Sequence, residues 1–224
     1  MKVAIMQPYF YPYLGYYQLI SECDAFIFLD DVNFIRKGFI HRNFINVAGE
    51  KAQINLRLVK ASQNKKINEL KIADSTSDFK NRVEVAYKKS IYWQDVVQIL
   101  DKHDAEIHSS LSEFLISINA NLISRLGINV NIFKSSEIEL EFFGLRGEER
   151  IIELTKAIGG TSYINLPGGK SLYSDGNFSG NSLGLEFVVP RLKLNGEDEN
   201  SYSIIDCVAH HGFDYLNNWF SGKS

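Results

Sequence analysis

Two short apolar runs, residues 3–6 and 25–29, frame the opening of the chain, and what lies between them leaves few alternatives for the fold. Val3, Ala4, Ile5 and Met6 make a buried strand that stops before Pro8, whose fixed φ and missing N–H end a ladder. Tyr13, Tyr16, Tyr17 and Ile20 then recur at the three-and-four spacing of one helix face, with Gln18, Ser21 and Glu22 opposite. Ala25-Phe26-Ile27-Phe28-Leu29 reads as a second buried strand, closed by Asp30-Asp31. Strand, helix and strand within roughly thirty residues make a βαβ unit, which pairs its strands in parallel through a right-handed crossover. The expected class is therefore α/β, with a mainly parallel, Rossmann-like sheet and a ligand crevice beyond the carboxyl ends of its strands.

Further along, residues 52–59 alternate apolar and polar side chains like a half-exposed strand, whereas residues 78–126 read as mainly helical. Ser110 with Glu113 has the spacing of a capping box, and Leu111, Leu115, Ile118 and Leu122 continue one stripe, so this block is expected to be a helical insertion or lid. Strands are expected at 130–133, 162–166 and 185–189, and helices at 147–158, stopped by Gly159-Gly160, and at 203–211. At 224 residues the chain fits a single α/β domain spanning 1–224, with 78–126 as an insertion or subdomain.

Hydrophobic residues at 45% and charged residues at 23% are ordinary for a globular protein, and a formal charge of −3 argues against general nucleic-acid binding. The opening apolar stretch is too short for a signal peptide, and no run approaches the ~20 residues of a membrane span, so a cytoplasmic location is expected. Cys23 and Cys207 stand far apart with no Cys-x-x-Cys partner, which speaks against both a zinc site and a disulfide framework.

Two clusters carry chemistry. Residues 6–17 hold five tyrosines and two prolines at the strand-to-helix corner. Each tyrosine joins an apolar face to a hydroxyl that needs a partner when buried, so the corner fits a ligand pocket or an aromatic core. Residues 30–43 gather Asp30, Asp31, Asn33, Arg36, Lys37, His41, Arg42 and Asn43. Arg36, Lys37 and Arg42 suit phosphate oxygens; Asp30 or Asp31 suits magnesium or an amine proton; His41 is the base nearest neutral pH. A solvated mixed-charge loop is the plain alternative. Both clusters follow strands of one βαβ unit, so Gln7, Tyr9, Tyr13, Asp30, Asp31, Arg36, His41, Arg42 and Asn43 are expected to line one pocket.

Gly168-Gly169-Lys170-Ser171 ends like a P-loop, but Ile164 stands where that motif needs its first glycine. What remains is a glycine-rich turn that presents Lys170 and backbone amides to a phosphate or carboxylate. Neighbouring helical residues point about 100° apart, so His210-His211 does not converge on a metal and is better read as a pair at a helix C-terminus. The chain has no Gly-x-Ser-x-Gly elbow, and no metal site is expected.

The blocks Met6-Gln7-Pro8-Tyr9-Phe10-Tyr11-Pro12-Tyr13-Leu14-Gly15-Tyr16, Leu29-Asp30-Asp31-Val32-Asn33-Phe34 and Arg42-Asn43 resemble the WbqC-like family. Gly160-Thr161-Ser162-Tyr163, Pro167-Gly168-Gly169 and Ser203-Ile204-Ile205-Asp206 extend the likeness over nearly the whole chain. Asn33 stands where the family usually carries a glutamine, and Phe39 or Ile40 where it often has a tryptophan. The resemblance implies a role in O-antigen or other surface-polysaccharide biosynthesis, acting on an activated sugar. The layout of residues 10–16 is also similar to the His-x-Gly-His corner of adenylyl-transferring α/β proteins, with Tyr13 and Tyr16 in place of both histidines. Tyrosine lacks their positive charge, which counts against direct adenylyl transfer; Lys170 would take the role of the mobile lysine of such enzymes.

Together these readings favour an enzyme that N-acylates, for example glycylates, a nucleotide-linked amino sugar with a small acyl donor. ATP with magnesium is the cofactor they allow, and no zinc, flavin or nicotinamide is expected. Asp30, Asp31 and His41 are the expected catalytic groups. Gln7, Tyr9, Tyr13, Gly15, Asn33, Arg36, Lys37, Arg42, Asn43, Gly168, Gly169 and Lys170 are the expected substrate-binding residues. The alternatives are a nucleotidyltransferase acting on a sugar phosphate and a non-catalytic nucleotide-sugar-binding module.

Overall fold

The computed structural model describes residues 1–73, 77–106, 110–140, 144–191, 193–194, 197–198 and 202–222. The chain opens with β1 (Lys2–Met6), α1 (Leu14–Ser21), β2 (Ala25–Phe28), β3 (Arg42–Val47), β4 (Glu50–Asn55), β5 (Leu58–Val59) and β6 (Lys71–Ile72). The helices α2 (Ser77–Tyr87), α3 (Trp93–Glu106) and α4 (Leu111–Arg125) follow. Next come β7 (Asn131–Lys134), α5 (Gly147–Ala157), β8 (Ser162–Asn165), α6 (Asp175–Gly180) and β9 (Gly184–Phe187). The short β10 (Lys193–Leu194) and β11 (Glu197–Asp198) precede α7 (Ile204–Phe220). These elements fall into two compact units.

The first unit comprises residues 1–7, 18–30 and 129–191. It holds a five-stranded parallel sheet in the order β7-β2-β1-β8-β9, which places the protein in the Rossmann-like α/β class. β1 and β2 pair in parallel as expected, Val3 opposite Ala25 and Met6 opposite Phe28. All four residues of β2 are buried, the continuous apolar burial that a strand in the middle of a parallel sheet requires. Val3, Ile5, Ala25 and Ile27 pack with Ile151, Leu154 and Phe178 in one core cluster.

The second unit comprises residues 8–17, 31–128 and 192–224. The helical block 78–126 resolves into α2, α3 and α4, and the Ser110 hydroxyl caps α4 by accepting from Glu113 N at 3.3 Å. The strand expected over 52–59 is instead two strands in separate two-stranded sheets, β4 with β3 and β5 with β6. The β3–β4 turn is Ala48-Gly49, both at positive φ, as a tight two-residue hairpin demands. The last helix begins at the expected place, with the Ser203 hydroxyl accepting from Ile205 N, and its first stretch ends as expected at His211, where the non-helical Gly212 separates it from a second stretch that runs to Phe220. Gly212 adopts φ 73°, and a Cβ there would lie 2.5 Å from Tyr92 Cδ1. His210 and His211 therefore close the first helical stretch, as expected; His210 pairs with Asp206 at 3.3 Å, and His211 stacks on Tyr215. Among the described residues no helix is long and apolar enough to cross a membrane.

Candidate functional site

The tyrosine turn divides into core and cavity. Tyr11, Tyr16 and Tyr17 are buried, and burial pushes their hydroxyls well above the ordinary phenol range. The Tyr17 hydroxyl donates to Asn119 Oδ1 at 2.8 Å, and that of Tyr11 meets His103 Nδ1 at 3.2 Å. For these three the aromatic-core reading holds. Tyr9 and Tyr13 stay half-buried and, with Phe39, Lys51 and Tyr202, line a cavity of about 250 Å³. Tyr11 adopts φ 44°, a left-handed conformation that costs a bulky residue energy and so needs support. Asn43 supplies it. Its Nδ2 donates to Phe10 O at 3.1 Å and to Tyr11 O at 2.7 Å, while its Oδ1 accepts from Phe44 N at 2.8 Å. Asn43 thus braces the turn and also lines the cavity.

The cluster at residues 30–43 yields a second cavity, of about 320 Å³, lined by Phe34, Arg36, His41, Arg42, Gln53 and Asn55 among others. His41 stands in its wall with the Phe34 ring 5.1 Å away between centroids, and its Nδ1 is buried without a hydrogen-bond partner. Burial, followed by the positive charges of Arg42 and Arg36, lowers the His41 pKa below the ordinary imidazole value. The ring is therefore neutral at pH 7. Arg42 is held in place by its own side chain, Nε donating to Gly38 O at 3.2 Å and Nη2 to Lys37 O at 2.6 Å. A guanidinium has about five N–H donors, so these two bonds fix its plane and leave donors for an anion.

The single pocket expected for these residues is thus two cavities within the second unit: Arg36, His41 and Arg42 line one, and Tyr9, Tyr13 and Asn43 the other. Gln7 and Asp30 belong to the first unit, at the ends of the paired strands β1 and β2. Asp30 is 2% exposed and its carboxylate accepts from Ser135 Oγ, Ser136 N and Ser136 Oγ, at 3.1, 3.0 and 2.8 Å. It ties β2 to the turn after β7. Asp31 is half-buried, and Gly15 is buried in the first turn of α1. Asn33 is exposed and bridges Lys66 through the backbone; Lys37 is exposed. Gly168, Gly169 and Lys170 lie in the first unit on a 3-10 helix, Pro167–Leu172, and not in an open turn.

With the geometry in hand, comparison with known proteins decides the family. Residues 7–218 match the profile of the WbqC-like protein family. The chain belongs to that family. It is 28% identical over 229 residues, covering 96% of this chain and 97% of the other, to the uncharacterized protein Rv1507c of Mycobacterium tuberculosis. No solved structure matches it.

Several residues of this WbqC-like chain reach the cavities without having been singled out from the sequence: Gln53 and Asn55 in one, Lys51 and Tyr202 in the other. Three of them lie on β4, where register puts Asn55 opposite Arg42, Gln53 opposite Phe44 and Lys51 opposite Asn46. Directly opposed residues share a face, so Arg42, Phe44, Lys51, Gln53 and Asn55 form one outward row, while Asn43, Ile45 and Ile54 are buried beneath. The polar alternation of Lys51, Gln53 and Asn55 was the available signal; without the partner strand it had no address.

Proposed function

We propose that this WbqC-like chain is an enzyme that transfers a small acyl group to the amine of a nucleotide-linked amino sugar, as surface-polysaccharide biosynthesis requires. The observation that carries the reading is His41: a neutral imidazole with an unpartnered buried Nδ1, in a cavity shared with the guanidinium groups of Arg36 and Arg42. Two cations beside a neutral base are a combination for substrates that bring phosphate and must lose a proton. In this reading Arg36 and Arg42 hold the phosphates, and His41 takes the proton as the sugar nitrogen attacks the carbonyl of a phosphate-activated acyl group. The new C–N bond forms as the C–O bond to the phosphate breaks, and the leaving phosphate departs with the electron pair beside the same two guanidiniums. ATP is the activating cofactor this chemistry calls for.

The test is to incubate the protein with UDP- and dTDP-linked amino sugars, glycine and ATP, and to follow the acylated sugar by mass spectrometry. Product is expected from the native chain, with His41→Gln reducing turnover by roughly 10²–10⁴ while affinity for the nucleotide-sugar stays within a few-fold. Pyrophosphate released from a sugar phosphate and a nucleoside triphosphate, without acylated product, would mark a nucleotidyltransferase instead. Saturable binding with no turnover under either condition would mark a binding module.

A further inference from the structure

The aromatic cavity is distinct from the cavity of His41, and the reading just given assigns nothing to it. We infer that it is a pyranose subsite: Tyr9, Phe39 and Tyr202 supply the platform for a hexose ring, and Lys51 a donor to its oxygens. The inference rests on the phosphate role of Arg36 and Arg42 only for the ring's attachment to a nucleotide.

Geometry points to a sugar in preference to a base. The Tyr9 and Phe39 rings are 6.0 Å apart between centroids and tilted by 54°, and Tyr9 meets Tyr16 at 5.6 Å and 39°. Rings in direct contact at such angles form a corner, into which no flat base can slide as it would between two parallel faces. A pyranose has the complementary form, with one apolar C–H face to lie on an aromatic wall and hydroxyls around its rim. The tips that meet that rim are of the right kind, since the hydroxyls of Tyr9, Tyr13 and Tyr202 both donate and accept. Burial raises the phenols of Tyr9 and Tyr13 above their ordinary range, so both keep their donor protons at neutral pH. Lys51 extends over the Phe44 ring at 4.8 Å and toward that of Tyr202 at 5.9 Å, so its ammonium is directed along the aromatic wall.

The wall is also built to stay where it is. Phe10 N donates to Phe39 O at 2.9 Å, and Asn43 holds the carbonyls of Phe10 and Tyr11, so both sides of the corner are fastened to β3. The same hairpin relates the two cavities. Arg42 of the phosphate cavity and Lys51 of the aromatic one stand on one face of β3–β4, four strand positions apart by register, about 13 Å along the strand. Lys51 leans back over Phe44, which lies between those positions, so a diphosphate held at Arg42 can place its sugar on the platform.

The test compares binding of UDP and dTDP with binding of the same diphosphates carrying a hexosamine, by calorimetry at low salt, for the native protein and for Tyr202→Ala, Phe39→Ala and Tyr9→Phe. Circular dichroism confirms that each variant is folded. The attached sugar is expected to raise affinity roughly tenfold in the native protein, the worth of one stacked ring and one or two hydrogen bonds. Tyr202→Ala and Phe39→Ala should lose that increment and bind the free diphosphates as before, with Tyr9→Phe in between. An increment that survives both alanine variants, or diphosphate affinity that falls with them, overturns the subsite. Should neither diphosphate bind the native protein, the phosphate role of Arg36 and Arg42 fails on its own. Saturation-transfer NMR with free N-acetylhexosamines then decides the platform: signal in the native protein that vanishes in Tyr202→Ala upholds it, and no signal refutes it.

Discussion

His41 owes its neutrality to two causes that substitution can separate. Burial lowers its pKa most, and the positive charges of Arg42 and Arg36 lower it further. Replacing Arg42 with Gln removes one charge and leaves the burial, so the imidazole should titrate at higher pH, moving back toward the ordinary value of about 6.5. An NMR titration of the His41 ring should show the native protein protonating below that value and Arg42→Gln protonating closer to it. No movement would mean that the guanidinium does not act on the ring. The identity of these side chains was legible in the sequence, since a base among cations stands out by type alone. Their partners were not. Asp30 and His41 look equally reactive in the sequence, yet three hydrogen bonds occupy the carboxylate of one while the Nδ1 of the other has no partner. What a polar group meets depends on chain segments far away, here Ser135 and Ser136, which no local pattern connects to Asp30.

At the scale of the element, α7 tests how much a single backbone angle decides. Gly212 combines a φ of 73° with a Cβ position 2.5 Å from the Tyr92 ring, so alanine there meets both an unfavourable conformation and a clash. Gly212→Ala is expected to destabilise the protein by about 2–4 kcal/mol, measured as a lower urea midpoint at unchanged slope. A loss below about 1 kcal/mol would show that the helix straightens at no cost. The strands of the first unit were readable because buried parallel strands are plain apolar runs, as in Val3-Ala4-Ile5 and Ala25-Phe26-Ile27-Phe28. β3 was not, because Arg42-Asn43-Phe44-Ile45-Asn46 begins inside a charged cluster that reads as loop until β4 is laid against it. The end of the first stretch of α7 at His211 was readable, since a glycine after a periodic run, here Gly212, is the ordinary sign of a helix end.

For the molecule as a whole, His103 sets a limit on acid tolerance. It is fully buried among the rings of Phe10, Tyr11, Phe79 and Phe114, and burial brings its pKa down to about 4 against an ordinary 6.5. Asp104 opposes that shift and Lys80 adds to it, and these two are ion-paired with each other. Because the folded value is the lower one, the unfolded chain binds the extra proton first as pH falls. Stability is then complete above about pH 6.5, declines toward pH 4 and levels off below, a change on the order of 3 kcal/mol. Urea unfolding at pH 7 and pH 5 should show this decline in the native protein and a shallower one in His103→Phe, which keeps the ring packing and cannot take the proton. Equal declines in the two would assign the acid sensitivity elsewhere.

The middle strand of the sheet, β1, has partners of very different reach: Val3 faces Ala25 on one side, while Lys2 faces Ser162, 160 residues on, on the other. During synthesis the first pairing is available almost at once, but the second must wait until most of the chain has left the ribosome. Loop closure over that distance is slow. For that interval the nascent chain carries an apolar strand with one bare edge, the kind of surface that chaperones cover and other chains add to. Any fragment ending before β8 keeps that edge permanently, so a C-terminal truncation before residue 162 should yield aggregate in place of a smaller folded protein.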